Sequence, residues 1–281
     1  MIVVTGATGN VGRALAELLA EAGEEAVAVS RRPLLTGLPA GVRHARADVG
    51  NSASMRPVLE GADALFVLLG GELNSRGESP DALLDVAGEA GVKRVVLLSS
   101  QINSTRPQAP SHTRLRAFEA SVRASGLDFT ILRPSGFASN AFAWAEPVRT
   151  QRTVFAPFGD VALPVIDPAD IARVAAVALL EDGHAGRTYE LTGPEAISPR
   201  RQAAVISEAL GEEVTFVELS REDAHAHMAR FMPAEVIDGT LDILGVPLPA
   251  EQAISPDVEK VLRRPAGSFG NWVARNLPVF Q

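Results

Sequence analysis

The sequence predicts an α/β fold in which a doubly wound parallel sheet carries a smaller, α-rich C-terminal cap, and three features support that reading. Short apolar runs alternate with segments of helical periodicity through the first 133 residues, the pattern of strands buried on both faces by helices. A turn with glycines at positions 6, 9 and 12 separates the first apolar run from the first amphipathic segment. Beyond residue 133 the alternation loosens into a stretch rich in Pro, Gly and Ala that contains Phe137, Phe142, Trp144, Phe155 and Phe158, so a different layer begins there.

Ile2–Thr5 reads as a buried strand. The next segment places Val11, Leu15, Leu18, Leu19 and Ala22 at helical spacing, and Gly23 can end it. Ala26–Ser30 and Val42–Ala47 read as the second and third strands, joined across the Pro- and Gly-bearing loop Pro33–Gly41. Asp63–Leu69 and Arg94–Ser99 are further interior strands, separated by a helix that starts near Pro80 and ends near Gly91. Ser111 is placed to cap a helix running through Ser125, with Leu115, Phe118 and Val122 on its apolar face, before the strand Phe129–Leu132. Asp167–Leu180 reads as a capped helix with Pro168 in its first turn, and Thr188–Leu191 as a strand. The remainder reads as helices Pro199–Leu210, Arg221–Met232 and Ala234–Leu244 around a short strand Val214–Val217.

Composition narrows the function classes. With 46% hydrophobic and 21% charged residues over 281 positions, the chain can bury a substantial core. A net charge of −8 with scattered arginines argues against a nucleic-acid binder, which needs clustered basic residues against phosphates. No apolar run approaches the length of about 18 residues that spans a bilayer. Ile2-Val3-Val4 is soon followed by glycines, so a cytoplasmic protein without membrane association is expected. The absence of cysteine removes disulfides, thiolate metal sites and a cysteine nucleophile. No metal site is expected: His225 and His227 diverge on a helix at i,i+2, while His44 and His184 stand apart in the sequence. Ser99 and Ser100 lack the G-x-S-x-G setting of a hydrolase nucleophile. Redox chemistry therefore needs a diffusible cofactor.

Thr5-Gly6-Ala7-Thr8-Gly9-Asn10-Val11-Gly12 is suited to a dinucleotide. Its glycines allow close approach of a pyrophosphate, and the following helix offers free N–H groups and the positive end of its dipole. Glycines also serve ordinary turns, but this position between a strand and an amphipathic helix makes Gly6 to Gly12 a Rossmann-type fingerprint. The second strand ends in Ser30-Arg31-Arg32, where an NAD-specific protein places an acid against the ribose hydroxyls. Arg31 first, and Arg32 second, suit the 2′-phosphate of NADPH, which is expected in preference to NADH; the alternative is a pair of solvated loop arginines. Asp48 can meet the adenine amino group and Val49 the ring, although an aspartate there also suits a helix cap. Leu68, Leu69, Gly70, Ser99, Ser100 and Gln101 stand at later strand ends, where doubly wound sheets line the ribose and nicotinamide. Residues 1–133 are thus expected to form the dinucleotide-binding domain. Residues 134–281 would form mainly a substrate-binding cap, with 164–191 returning to the sheet.

Four segments carry a more specific resemblance: Val4 to Gly12, Val29-Ser30-Arg31-Arg32-Pro33, Ser125-Gly126-Leu127-Asp128-Phe129-Thr130-Ile131-Leu132-Arg133-Pro134, and Tyr189-Glu190-Leu191-Thr192-Gly193-Pro194-Glu195. End to end, the chain resembles the atypical short-chain dehydrogenase/reductase superfamily, in its NmrA-like NAD(P)H-binding group of quinone reductase-like and triphenylmethane reductase-like enzymes. The resemblance implies that Arg133-Pro134 ends the last large strand and that Pro134, Ser135, Gly136, Phe137 and Asn140 border nicotinamide and substrate. Phe142 and Trp144 join them as substrate contacts, against the alternative that these aromatics pack beneath the cap. It also makes Tyr189 structural and Thr192-Gly193-Pro194-Glu195 the turn into the smaller domain.

Tyr189 is the only tyrosine and position 193 is glycine, so the Tyr-x-x-x-Lys proton donor of typical short-chain reductases is missing. Three readings remain. Hydride can pass to a hydrophobic aromatic, quinone-like or conjugated carbonyl acceptor that needs little acid catalysis. Another donor can replace tyrosine. Or the chain is a non-catalytic NADP(H)-sensing regulator of a protein partner. For the second, the resemblance points to His112, at a helix start in the region where relatives carry tyrosine, with Ser100 and Gln101 orienting a carbonyl oxygen. The alternative for His112 is a solvent-facing histidine. Glu119, at a position the resemblance makes often acidic, reads as half of a surface salt bridge. The first reading is preferred: an NADPH-dependent reductase of a small hydrophobic acceptor, monomeric or homodimeric.

Overall fold

The computed structural model describes the chain apart from residues 33–36, 71–76, 231 and 233. In order come β1 (Ile2–Thr5), α1 (Asn10–Glu21), β2 (Ala26–Ser30), β3 (Val42–Arg46), α2 (Ser52–Leu59), β4 (Ala64–Leu68), α3 (Pro80–Glu89), β5 (Arg94–Leu98), α4 (Ile102–Thr105), α5 (Thr113–Ala124) and β6 (Asp128–Pro134). They are followed by β7 (Gly136–Phe137), α6 (Ala145–Gln151), β8 (Thr153–Pro157), β9 (Leu163–Ile166), α7 (Pro168–Leu180), β10 (Arg187–Leu191), β11 (Ala196–Ile197), α8 (Pro199–Leu210) and β12 (Thr215–Leu219). The last helices are α9 (Arg221–Met228), α10 (Ala234–Gly245), α11 (Pro249–Gln252), α12 (Asp257–Leu262) and α13 (Phe269–Asn276).

Seven strands form one sheet in the order β10-β6-β5-β4-β1-β2-β3, with every pair parallel. Successive residues of each strand point to opposite faces. Val4, Ala28, Phe66 and Val96 meet α1 and α7 on one side. Val3, Val27, Leu65 and Val95 meet α2, α3 and α5 on the other. Both faces being buried explains why the strands are apolar throughout. Strand order reverses between β1 and β4, and the crevice beyond their C-terminal ends is where such a sheet takes its ligand. α7 packs on α1, held at its start by Asp167, whose carboxylate accepts from Ala169 N at 2.9 Å.

β9 pairs with β7 and β11 in a small second sheet, and β12 pairs in parallel with β8. With α6, α8 and α13 these surround a separate core that includes Val148, Val154, Ile206, Trp272 and Phe280. Among the described residues, no helix is long and apolar enough to cross a membrane.

Several expected boundaries move. Ser111 does not cap α5: Pro110 opens a 3₁₀ turn through His112, the helix starts at Thr113, and the Ser111 hydroxyl turns to His112 instead. The strand expected at Val214–Val217 runs over Thr215–Leu219, because its partner β8 sets the register. α9 ends at Met228 rather than Met232, and part of the expected loop Pro33–Gly41 lies outside the described residues.

Candidate functional site

The glycine turn is built around close backbone contacts. Gly6 has φ of +65°, and a Cβ there would stand 2.7 Å from Leu68 Cδ2. A Cβ on Gly12 would stand 2.4 Å from the Gly6 carbonyl oxygen, so α1 sits directly on the turn only because position 12 lacks a side chain. Gly9 N donates to Gly6 O at 3.0 Å and Ala7 N to Val29 O at 3.3 Å. Thr5 Oγ1 accepts from Leu68 N at 2.8 Å, tying β1 to β4 at the switch point. Ala7 and Val11 are buried, whereas Thr8, Gly9 and Asn10 are exposed. The Gly9 N-cap supplies no side-chain hydrogen bond, and no acidic residue lies in the first turn of α1. Free N–H groups and a positive dipole end at that position fit a pyrophosphate.

Arg31 and Arg32 are exposed immediately beyond β2. Ser30 Oγ donates to the Arg32 carbonyl and lies 3.0 Å from His44 Nε2 on β3, so His44 is not solitary. Arg46 Nε donates to the Arg31 carbonyl at 3.1 Å. Asp48 Oδ1 accepts from Gly50 N within its own loop at 2.9 Å, and Val49 is buried in the sheet core. The cap of α2 is Asn51, which accepts from Ser54 N at 3.0 Å.

At the ends of β4 to β6, Leu68 is half-buried, Leu69 is buried in the core and Gly70 follows. Ser99 is buried and donates to Glu119 Oε1 at 2.6 Å, while Asn103 Nδ2 reaches Ser99 Oγ at 2.9 Å and Glu119 Oε1 at 3.0 Å. Arg133 clasps the same carboxylate through Nε at 3.0 Å and Nη2 at 2.6 Å, and faces Glu190 through Nη1 at 3.3 Å. Glu119 is therefore no surface salt bridge. It is 6% exposed, because its face of α5 packs on β5 and β6. Burial pushes its carboxyl up, but bonds from Arg133, Ser99 and Asn103 outweigh that and hold it below the ordinary carboxylate range. Burial instead prevails at Glu190 and pushes its carboxyl up.

Ser100 Oγ accepts from Ile102 N at 3.2 Å. Gln101 is buried and donates to the Ala250 carbonyl at 3.3 Å, so its amide tethers α11 rather than standing open to a ligand. Pro134 is buried, Phe137 half-buried, and Gly136 and Asn140 exposed. Ser135 is buried, and among the described residues its hydroxyl has no partner.

Phe142 and Trp144 lie elsewhere. Phe142 is 4.9 Å from the Trp272 ring and 6.4 Å from Phe280, and Trp144 packs on the same core, so both fill the C-terminal layer. His112 is half-buried, with Nδ1 at 2.9 Å from Ser111 Oγ. Burial, aided by the Arg116 charge, holds its pKa below the usual histidine value. Tyr189 OH pairs with His184 Nδ1 at 2.8 Å, and a Cβ on Gly193 would stand 2.1 Å from Val165 O. Arg46, His44 and Asn103 are site neighbours that the sequence reading passes over. Arg46 has a readable signal, since strand register sets it beside Ser30.

A parallel sheet with an uncapped, glycine-cradled helix at its switch point defines a dinucleotide-binding α/β protein. Residues 6–182 match the NAD(P)H-binding family, and the chain belongs to it. It is 35% identical over 283 residues to the (4-alkanoyl-5-oxo-2,5-dihydrofuran-3-yl)methyl phosphate reductase of Streptomyces griseus subsp. griseus, covering all of this chain and 99% of the relative. It is 31% identical over 292 residues to the NAD(P)H azoreductase of Xenophilus azovorans, covering all of this chain and 99% of that protein. The solved NADPH complex of the NADPH-dependent quinone oxidoreductase from Escherichia coli is similar over 99% of this chain and all of its own, with a TM-score of 0.81 and 26% identity. The likeness to NmrA-like, quinone reductase-like proteins read from the motifs is thereby shown.

Proposed function

We propose that the protein is an NADPH-dependent reductase that delivers hydride to a hydrophobic acceptor whose own conjugation absorbs the negative charge: a quinone-like, aromatic or unsaturated carbonyl compound. The observation that carries this reading is the state of the proton-donor candidates. His112 Nδ1 is engaged by the Ser111 hydroxyl, Glu119 is clasped by Arg133, and Tyr189 is bonded to His184. An acceptor that spreads charge over a conjugated system needs no strong acid at the site. The Streptomyces griseus relative is named for a phosphate ester whose ring double bond is conjugated to carbonyl groups, so it supports the conjugated acceptor but not its hydrophobic character.

The pyrophosphate would lie on Gly6, Ala7, Thr8, Gly9, Asn10, Val11 and Gly12 at the start of α1. Arg31 and Arg32 would take the 2′-phosphate. Leu68, Leu69, Gly70 and Ser100 would flank the ribose and nicotinamide. When bound, NADPH supplies the hydride. Ser135, Gly136, Phe137 and Asn140 hold the acceptor between the sheet domain, residues 1–133, and the cap built mainly from residues 134–281. If the Ser111 hydroxyl donates to Nδ1 of His112, the Nε2–H is left to orient the acceptor's oxygen. NADPH consumption should be followed with quinones, unsaturated lactones and azo compounds. Turnover of at least one conjugated acceptor is expected. Tight NADPH binding without consumption across the panel would replace this reading by that of an NADP(H)-sensing regulator.

A further inference from the structure

We propose that Arg46, at the end of β3, is a third guanidinium of the 2′-phosphate site and sets the preference for NADPH together with Arg31. The inference rests on the NADPH reading given above. Parallel pairing of β2 with β3 sets Arg46 beside Ser30, one residue short of Arg31. Arg46 Nε donates to the Arg31 carbonyl at 3.1 Å. That bond occupies only one of the five guanidinium N–H donors and leaves the two Nη groups available.

The neighbouring carbonyl is held in the same way, since Ser30 Oγ donates to Arg32 O with His44 Nε2 behind it at 3.0 Å. The backbone of both candidate phosphate ligands is thus fixed from β2 and β3, while the side chains of Arg31, Arg32 and Arg46 are exposed. Among the described residues none of the three makes an ion pair with a carboxylate. Arg106, Arg133, Arg152 and Arg200 of the same acidic chain all do. Exposed guanidiniums without carboxylate partners are available to a phosphate monoester, which carries a charge of roughly −1.5 to −2. The fork geometry of guanidinium suits phosphate oxygens better than a lysine ammonium does. Arg43 provides an internal control: it lies nearer the start of β3, and its Nη2 faces Met1 Sδ at 3.4 Å.

The test is fluorescence titration of NADPH and NADH against wild type, Arg46→Met, Arg46→Lys and Arg43→Met, with a melting curve for each. Arg46→Met should raise the Kd for NADPH about 10-fold and leave NADH binding and the melting temperature unchanged. Arg46→Lys should recover part of the loss, and Arg43→Met should behave as wild type. Equal weakening of NADPH and NADH in Arg46→Met, or an unchanged NADPH Kd, overturns the role of Arg46 alone. Equal wild-type affinity for the two cofactors overturns the NADPH reading itself and this proposal with it.

Discussion

Replacing Gly12 with alanine probes the contact on which the cofactor cradle depends. The added Cβ would meet Gly6 O at 2.4 Å, Gly6 C at 2.8 Å and Ala7 Cα at 2.9 Å, all backbone atoms with no flexible end to swing aside. Carbon contacts settle near 3.5–4.0 Å, so α1 must withdraw by about 1 Å. Overpacking of that kind costs about 1–3 kcal/mol, while alanine gains about 1 kcal/mol over glycine inside a helix. The net loss of stability is then about 0–2 kcal/mol, a fall in Tm of a few degrees for a chain of this size. Cofactor binding should suffer more, because the N–H groups facing the pyrophosphate move with the helix. Loss of one charge-assisted bond of roughly 1.5–3 kcal/mol raises Kd by about 10- to 100-fold. Fluorescence titration with NADPH beside a melting curve reads both effects. Gly9→Ala is the control for folding, since its Cβ meets Gly6 O at an ordinary 3.4 Å and should leave Tm unchanged. A Gly12→Ala protein with wild-type Kd and Tm would refute the argument.

Arg31→Ala should weaken NADPH by about 10- to 100-fold without affecting NADH, and equal loss for both would remove Arg31 from the phosphate site. His112→Ala should lower kcat about 10-fold, the worth of roughly one hydrogen bond to the acceptor, with an unchanged NADPH Kd; unaltered turnover would return His112 to a structural place at the start of α5. Glu119→Gln should cost about 3 kcal/mol in urea unfolding at pH 7, the low end for a broken buried pair because Glu190 still faces Arg133. The pH dependence has a defined sign. The Glu119 carboxyl is held below the ordinary range, so its stabilisation is complete above the unfolded value of about 4.3 and is lost as pH falls through the folded value. Wild type should therefore lose stability more steeply in acid than Glu119→Gln, and parallel acid limbs would show that the carboxylate is not responsible.

The sheet is legible in the sequence because its strands are buried on both faces, which makes Ile2–Thr5, Ala26–Ser30 and Arg94–Leu98 continuous apolar runs. β8 and β9 have no such signal. Each belongs to a small sheet of two or three strands, and each contains a proline, Pro157 or Pro164, that reads as a break. α2 is obscured for a similar reason, since Pro57 sits inside it and Asn51 rather than Asp48 caps it. The misplaced cap at Ser111 shows the limit of local rules. Two hydroxyls and an imidazole compete at Ser111, His112 and Thr113, and Thr113 takes the Pro110 carbonyl at 2.9 Å.

The glycine turn is legible because it is local: three glycines and a helix start fall within eight residues. The surface-salt-bridge reading of Glu119 is wrong, although the sequence does carry a signal for its burial. Leu115, Phe118, Glu119 and Val122 fall at i, i+3, i+4 and i+7, one continuous stripe of α5, and all four are buried. A carboxylate inside an apolar stripe demands a buried partner, and the nearest arginine expected in a strand was Arg133. The ion pair they form beneath the crevice satisfies Ser99 and part of Asn103, and Gln101 is satisfied by Ala250. What remains at the end of β6 is the Ser135 hydroxyl. Asn103 Oδ1 and Glu190 Oε2 are likewise without partners among the described residues, but on the proposed reading the Ser135 hydroxyl, next to Gly136 and Phe137, is the one that a bound nicotinamide or acceptor would satisfy. Ser135→Ala should therefore weaken ligand binding more than it disturbs the fold.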